Sequence, residues 1–121
     1  MERRIINGLL IGMAVFSSCY YDVAEELYPP TTCNTANMSY QSNITPILVN
    51  NCYVCHSVAD HQGDVVLEGY DELIVYVNSG QLLGAIKHES PYSFMPQDAP
   101  KLKDCDIAKI EQWIIDGAPN N

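Results

Sequence analysis

The chain has 121 residues, 47% of them hydrophobic, with 15 acidic against 6 basic residues and a formal net charge of −9. That length holds one small domain and leaves no room for a second. The acidic balance repels nucleic acid and anionic headgroups, so no nucleic-acid partner is expected, and it suits a partner with a basic docking patch.

The chain begins Met-Glu-Arg-Arg and then runs apolar from Ile5 to Phe16, interrupted by Asn7 and Gly8. A basic start and an apolar stretch well short of the roughly 20 residues that span a bilayer read as an export signal. At its end "FSSC", Phe16 to Cys19, resembles the lipobox of bacterial lipoproteins, which implies a signal peptide over residues 1–18 and lipid on Cys19. The alternative is an ordinary signal peptide cut near Ser18. Removing residues 1–18 takes away Glu2, Arg3 and Arg4, leaving 14 acidic and 4 basic residues and a net charge of −10. Tyr20, rather than aspartate, follows the cysteine; by resemblance to known sorting rules this points to the outer membrane. The expected location is exported and lipid-anchored at the bacterial cell envelope, on the periplasmic side or at the outer membrane.

Residues 20–38 show no period and carry Pro29-Pro30 and a Thr/Asn-rich stretch, so residues 19–38 read as a lipidated start and an extended tether. The domain is expected to begin at Ser39 and run to Asn121. Thr45 is placed to cap a helix and Pro46 suits its first position, with Ile44, Ile47 and Leu48 on one face. A loop follows through Gly63, and Val65 to Leu67 reads as a brief extended segment. Asp71 to Asn78 predicts a short helix stopped by Gly80, although its Ile/Val content also suits a strand. "QLLGAI" predicts another turn or two of helix. "HESPYSFMPQDAPKLK" is a long, proline-punctuated loop, and ordered loops of that length tend to be functional. The last segment predicts the clearest helix. Asp104 serves as N-cap and Asp106 sits in the first turn. Ile107, Ile110, Trp113 and Ile114 make the apolar stripe. Gly117 is the stop, with Pro119 beyond it.

The chemistry concentrates in "CYVCH", Cys52 to His56. A redox dithiol of this spacing belongs at a helix start after a buried strand, and here a helix precedes Cys52 with no strand–helix alternation. A structural zinc site wants four ligands, commonly two close pairs; one close pair is present, and Cys33, Cys105, His61 and His88 are scattered. Covalent haem attachment fits best. Two thiols span the vinyl groups of a porphyrin and the next residue presents its imidazole to the iron. Such a haem needs a ligand on its other face, and Met95, on the long loop and followed by Pro96, supplies a thioether. Methionine also serves as a core gap-filler. His88 is the main competitor as axial ligand, while His61 lies too near His56. With Cys19 lipidated and Cys52 and Cys55 in one motif, the even remainder leaves Cys33 and Cys105 as candidates for a long-range disulfide; free thiols or pairing between molecules are the alternatives.

"CYVCH", "SFMP" and "LKDCDIAKIEQWIIDGAP", in that order, resemble a small class I c-type cytochrome over roughly Ser39 to Asn121. The resemblance implies an all-α fold in which crossed N- and C-terminal helices pack around one covalent haem c, with Ile47 and Leu48 against Ile110, Trp113 and Ile114. Carried over, Cys52 and Cys55 are the haem thioethers, His56 the proximal and Met95 the distal iron ligand. Cys105 departs from the commoner pattern and is read with Cys33. The implied function is single-electron transfer between a redox protein donor and acceptor, with a membrane reached through the lipid anchor. It is not an enzyme, because six-coordinate iron leaves no position for substrate. Two other classes remain: a haem-based sensor or accessory subunit whose distal ligand is displaceable, and a non-haem zinc or disulfide lipoprotein that mediates contacts.

Overall fold

The computed structural model describes residues 32–121; the expected signal peptide, Cys19 and the expected tether up to residue 31 lie outside the described residues. The described residues are helical, with no strand among them. A π turn, Tyr40–Ile44, leads into α1, Thr45–Asn51, and then α2, Tyr53–His56. A 3-10 turn at Gln62–Asp64 precedes α3, Tyr70–Asn78, α4, Gln81–Lys87, and the closing α5, Asp104–Ile115. No helix among the described residues is long and apolar enough to cross a membrane.

The first helical run starts earlier than Thr45. Ser39 is the N-cap, its hydroxyl accepting the Ser42 N–H at 3.4 Å. Thr45 instead lies within the run and donates its hydroxyl to the Tyr40 carbonyl at 2.9 Å. The π register has a local cause. Pro46 has no N–H for the Ser42 carbonyl, and its ring crowds that carbonyl in an α register; the wider turn relieves both conflicts.

In α3 the period settles helix against strand. Leu73 and Val77, four apart, are buried, while Val75 between them is exposed, as a helix requires and alternation forbids. Asp71 and Glu72 occupy its first turn, where the helix dipole favours them. Gly80, at φ 75°, turns the chain into α4.

In α5 the stripe is as expected, with Ile107, Ile110 and Trp113 buried. Asp104 does not cap it: Lys103 holds that position without a side-chain bond, and Asp104 is the first helical residue, exposed and 3.5 Å from Lys101. The stop at Gly117, φ 92°, is a Schellman closure, with Gly117 N–H to the Ile114 carbonyl at 3.0 Å and Ala118 N–H to the Trp113 carbonyl at 2.8 Å.

The core is one cluster built around Ile44, Leu48, Leu73, Ile110 and Trp113. Ile47 and Leu48 belong to it, as do Ile110, Trp113 and, at its margin, Ile114. Helix α5 packs on the π turn and on α4. Tyr40 stacks on Trp113 with centroids 5.9 Å apart, and Tyr70 meets Tyr40 edge-on at 5.3 Å. The C-terminal segment seals this contact. Trp113 Nε1–H donates to the Pro119 carbonyl at 3.0 Å and the Tyr70 hydroxyl to the Ala118 carbonyl at 2.8 Å. Asn121 Oδ1 accepts the Tyr40 N–H at 3.0 Å and its backbone oxygen the Gln41 N–H at 3.0 Å.

Cys33 and Cys105 are joined, with Cα atoms 5.5 Å apart and 72 positions between them in sequence. The expected tether therefore enters the folded body before Ser39, and Met38, 5% exposed, is a core residue. Replacing both cysteines by serine is expected to lower the unfolding free energy by about 4 kcal/mol, the chain-entropy value for a loop of this length, read from the shift in urea midpoint.

Candidate functional site

The end of the first helical run arranges the motif. The Cys52 N–H closes α1 on the Leu48 carbonyl at 2.8 Å, and the backbone there departs from helical geometry at φ −122°. The N–H groups of Cys55 and His56 both return to the Cys52 carbonyl, at 3.1 and 2.9 Å. One acceptor thus fixes the five residues in a tight turn. The chain then loops out and back. Glu68 accepts the Val58 N–H at 2.8 Å, Gly63 adopts φ 67°, and the Leu67 N–H returns to the His56 carbonyl at 2.8 Å.

That return places the Val65 carbonyl 3.2 Å from His56 Nδ1. A carbonyl has no proton to give, so Nδ1–H is the donor and the proton-free nitrogen is Nε2. This is the partner arrangement that orients a metal-binding imidazole.

A second set of bonds fixes the long loop on α4. The Met95 N–H donates to the Ala85 carbonyl at 3.0 Å. His88 Nε2–H donates to the Met95 carbonyl at 3.0 Å, and the His88 ring stacks on Phe94 at 4.8 Å with the planes 2° apart. The Tyr92 ring packs on α4 at Gly84, where any Cβ would run into it.

Between these parts lies a cleft of about 680 Å³, inside the roughly 300–1,000 Å³ typical of small-molecule and cofactor sites. Cys52, Cys55 and His56 line it, and so does Met95. Val65, Leu67, Leu82, Ile86 and Leu102 supply apolar lining. Neither His61 nor His88 is on its wall. His61 is exposed and bonds the Val58 carbonyl through Nδ1 at 3.2 Å. Of the two methionines among the described residues, Met38 is in the core and Met95 faces the cleft. Among the described residues no group of three or more His, Cys, Asp or Glu side chains gathers at metal-binding spacing. The donor set of the cleft is therefore two unpaired thiols, one oriented imidazole and one thioether in an apolar lining, and this set fits a covalently attached haem with His/Met ligation.

Burial pushes the Cys52 thiol from its ordinary 9.0 up to about 11. A redox dithiol works through a thiol whose pKa is lowered, and the shift at Cys52 runs the other way.

The sequence reading missed four parts: the Val65 and Ala85 carbonyls, the His88 bond to Met95, and the Tyr92–Gly84 contact. The first three act through backbone acceptors, which carry no residue-type signal. Gly84 gave a faint one, a glycine inside a helical segment. Neither a protein-family model, nor a curated protein, nor a solved structure matches the chain.

Two measurements check the site. On the haem-free chain the unfolded Cys52 ionises near 9 while the folded one holds its proton to about 11. The folded state therefore binds more protons in that window. Stability is full below pH 9 and falls by about 2 kcal/mol as pH rises to 11. Tyr53, pushed up to about 12 by burial and by Tyr40, contributes only above its ordinary 10.0, so Cys52→Ser should remove the loss between pH 9 and 10. Gly84→Ala is expected to cost about 1–3 kcal/mol by overpacking against Tyr92, despite alanine's better helix propensity, and the double variant with Tyr92→Ala should recover most of it in urea denaturation.

Proposed function

We propose that the chain is a monohaem c-type cytochrome of the small class I fold, carrying single electrons between membrane-associated redox partners. The observation that carries this reading is that Cys52, Cys55, His56 and Met95, drawn from the end of one helix and from a distant loop, line one largely apolar cleft. Cys52 and Cys55 hold the haem through thioether bonds. His56, held at Nδ1 by the Val65 carbonyl, presents Nε2 to the iron. Met95 presents sulfur from a loop fixed by a backbone bond to Ala85 and by the His88 imidazole. Haem, when bound, supplies the Fe(III)/Fe(II) couple, whose potential His/Met ligation raises. The residues around it do no proton or group transfer; Val65, Leu67, Ile86 and Leu102 exclude water from the ring. The role is electron carriage rather than enzymatic turnover.

The acidic surface fits a donor or acceptor with a basic patch. Two of the four lysines of the described residues already face carboxylates, Lys87 at 3.0 Å from Glu111 and Lys101 at 3.5 Å from Asp104. Lipid on Cys19 would confine the carrier to the membrane surface of the cell envelope, so its partners are membrane-bound or brought to it.

Made in an export-competent host that attaches haem, the mature protein is expected to show a Soret band and an intact mass increased by one haem and by the lipid. Colourless protein of unmodified mass overturns the reading. Met95→Ala should keep the covalent haem, lose the near-infrared sulfur-to-iron band of the oxidised form and admit carbon monoxide when reduced; a wild-type protein that binds carbon monoxide strongly would point instead to a sensor.

A further inference from the structure

We propose that His88 is the positioning residue for Met95: a histidine that never touches the iron but keeps the methionine sulfur on it. The inference rests on the haem reading of the cleft and adds a residue to it. Three observations carry it. His88 is off the cleft wall, and its Nε2–H donates to the Met95 carbonyl at 3.0 Å, so that nitrogen is engaged with the loop and not turned to the cleft. The Met95 N–H ends on the Ala85 carbonyl, which also accepts the N–H of His88 at 3.2 Å. Both polar backbone groups of Met95 are thereby tied to the last turn of α4, one directly and one through the imidazole. Finally, His88 adopts φ 60° as the left-handed cap of α4, a place where glycine or asparagine sits at lower cost. Histidine there carries a backbone cost, and its imidazole bond to the Met95 carbonyl offsets it.

The ring is itself held. It stacks on Phe94, the neighbour of Met95, with the planes 2° apart. The loop from His88 to Lys103 contains no helix or strand of its own, and a loop of that length wanders unless it is tied at particular points. Without the imidazole bond the Met95 carbonyl loses its partner, and the thioether competes less well with an outside ligand for the iron.

The test uses the haem-loaded, full-length protein. His88→Phe keeps an aromatic ring against Phe94 but has no N–H. His88→Asn suits the left-handed backbone but is too short to reach the Met95 carbonyl. His88→Gln returns an N–H at comparable reach. Covalent haem is checked by mass and folding by circular dichroism. The expected result is that Phe and Asn each lose at least half of the sulfur-to-iron band and bind carbon monoxide at least tenfold more tightly when reduced, while Gln restores both towards wild type. Phe and Asn variants that match wild type overturn the inference, as does a Gln variant no better than they are. A wild type with covalent haem but no sulfur band, in which every His88 variant becomes high-spin, makes His88 the ligand and overturns it while leaving the cytochrome reading intact. A wild type without haem overturns both.

Discussion

The packing of Trp113 on Tyr40 fixes the rest of the molecule. Trp113 is fully buried on the closing helix, Tyr40 opens the first helical run, and the two rings stack at 5.9 Å. An aromatic pair of this kind contributes about 0.5–1.5 kcal/mol beyond the area it buries. Its greater effect is directional. With Tyr40 fixed against α5, the run from Tyr40 has one path, and Cys52, Cys55 and His56 emerge where that path ends. The Trp113 Nε1–H bond to Pro119 and the Asn121 cap on Tyr40 close the same junction from the other side. The disulfide from Cys33 to Cys105 adds a covalent tie near the start of α5.

The site itself is an exercise in satisfying backbone carbonyls. Those of Cys52, Val65, Ala85 and Met95 each accept a bond that fixes a side chain of the cleft or the loop carrying it. Carbonyl acceptors do not titrate and barely move, so they hold an imidazole and a thioether without adding charge to an apolar cleft. The result is a pre-arranged pair of donors, the imidazole held by a main-chain carbonyl and the methionine by one main-chain bond and one imidazole bond, which suits the proposed role as an electron carrier.

The legible parts of this sequence are those in which a local pattern and the tertiary fold agree. The stripe from Ile107 to Trp113 and the Gly117 stop define α5 without reference to anything else, whereas the Ile/Val content of α3 suits a strand as well and only the burial of Leu73 and Val77 settles it. Cys52 to His56 is contiguous, so its elements of chemistry travel together wherever the chain goes. The misplaced features are the ones decided at a distance. Thr45 and Asp104 both have the chemistry of a cap, but the first helix begins at Ser39 because Tyr40 is drawn onto Trp113 and its N–H meets Asn121, a residue 81 positions away. Met38 reads as tether because nothing beside it in sequence reveals the core it enters. His88 reads as a rival ligand because its residue type announces metal binding, whereas its partner is a carbonyl that any residue could provide.

The depth of the Cys52 sulfur sets an order of events for the molecule's biogenesis. Once native packing has formed around it, this half-buried thiol holds its proton more firmly than an ordinary cysteine, and such a thiol reacts more slowly. If the cleft receives its prosthetic group covalently, as proposed, the bond to Cys52 forms more readily on a nascent or partly open polypeptide than on the packed one. Early collapse would slow that bond, which makes assisted maturation an advantage for this chain.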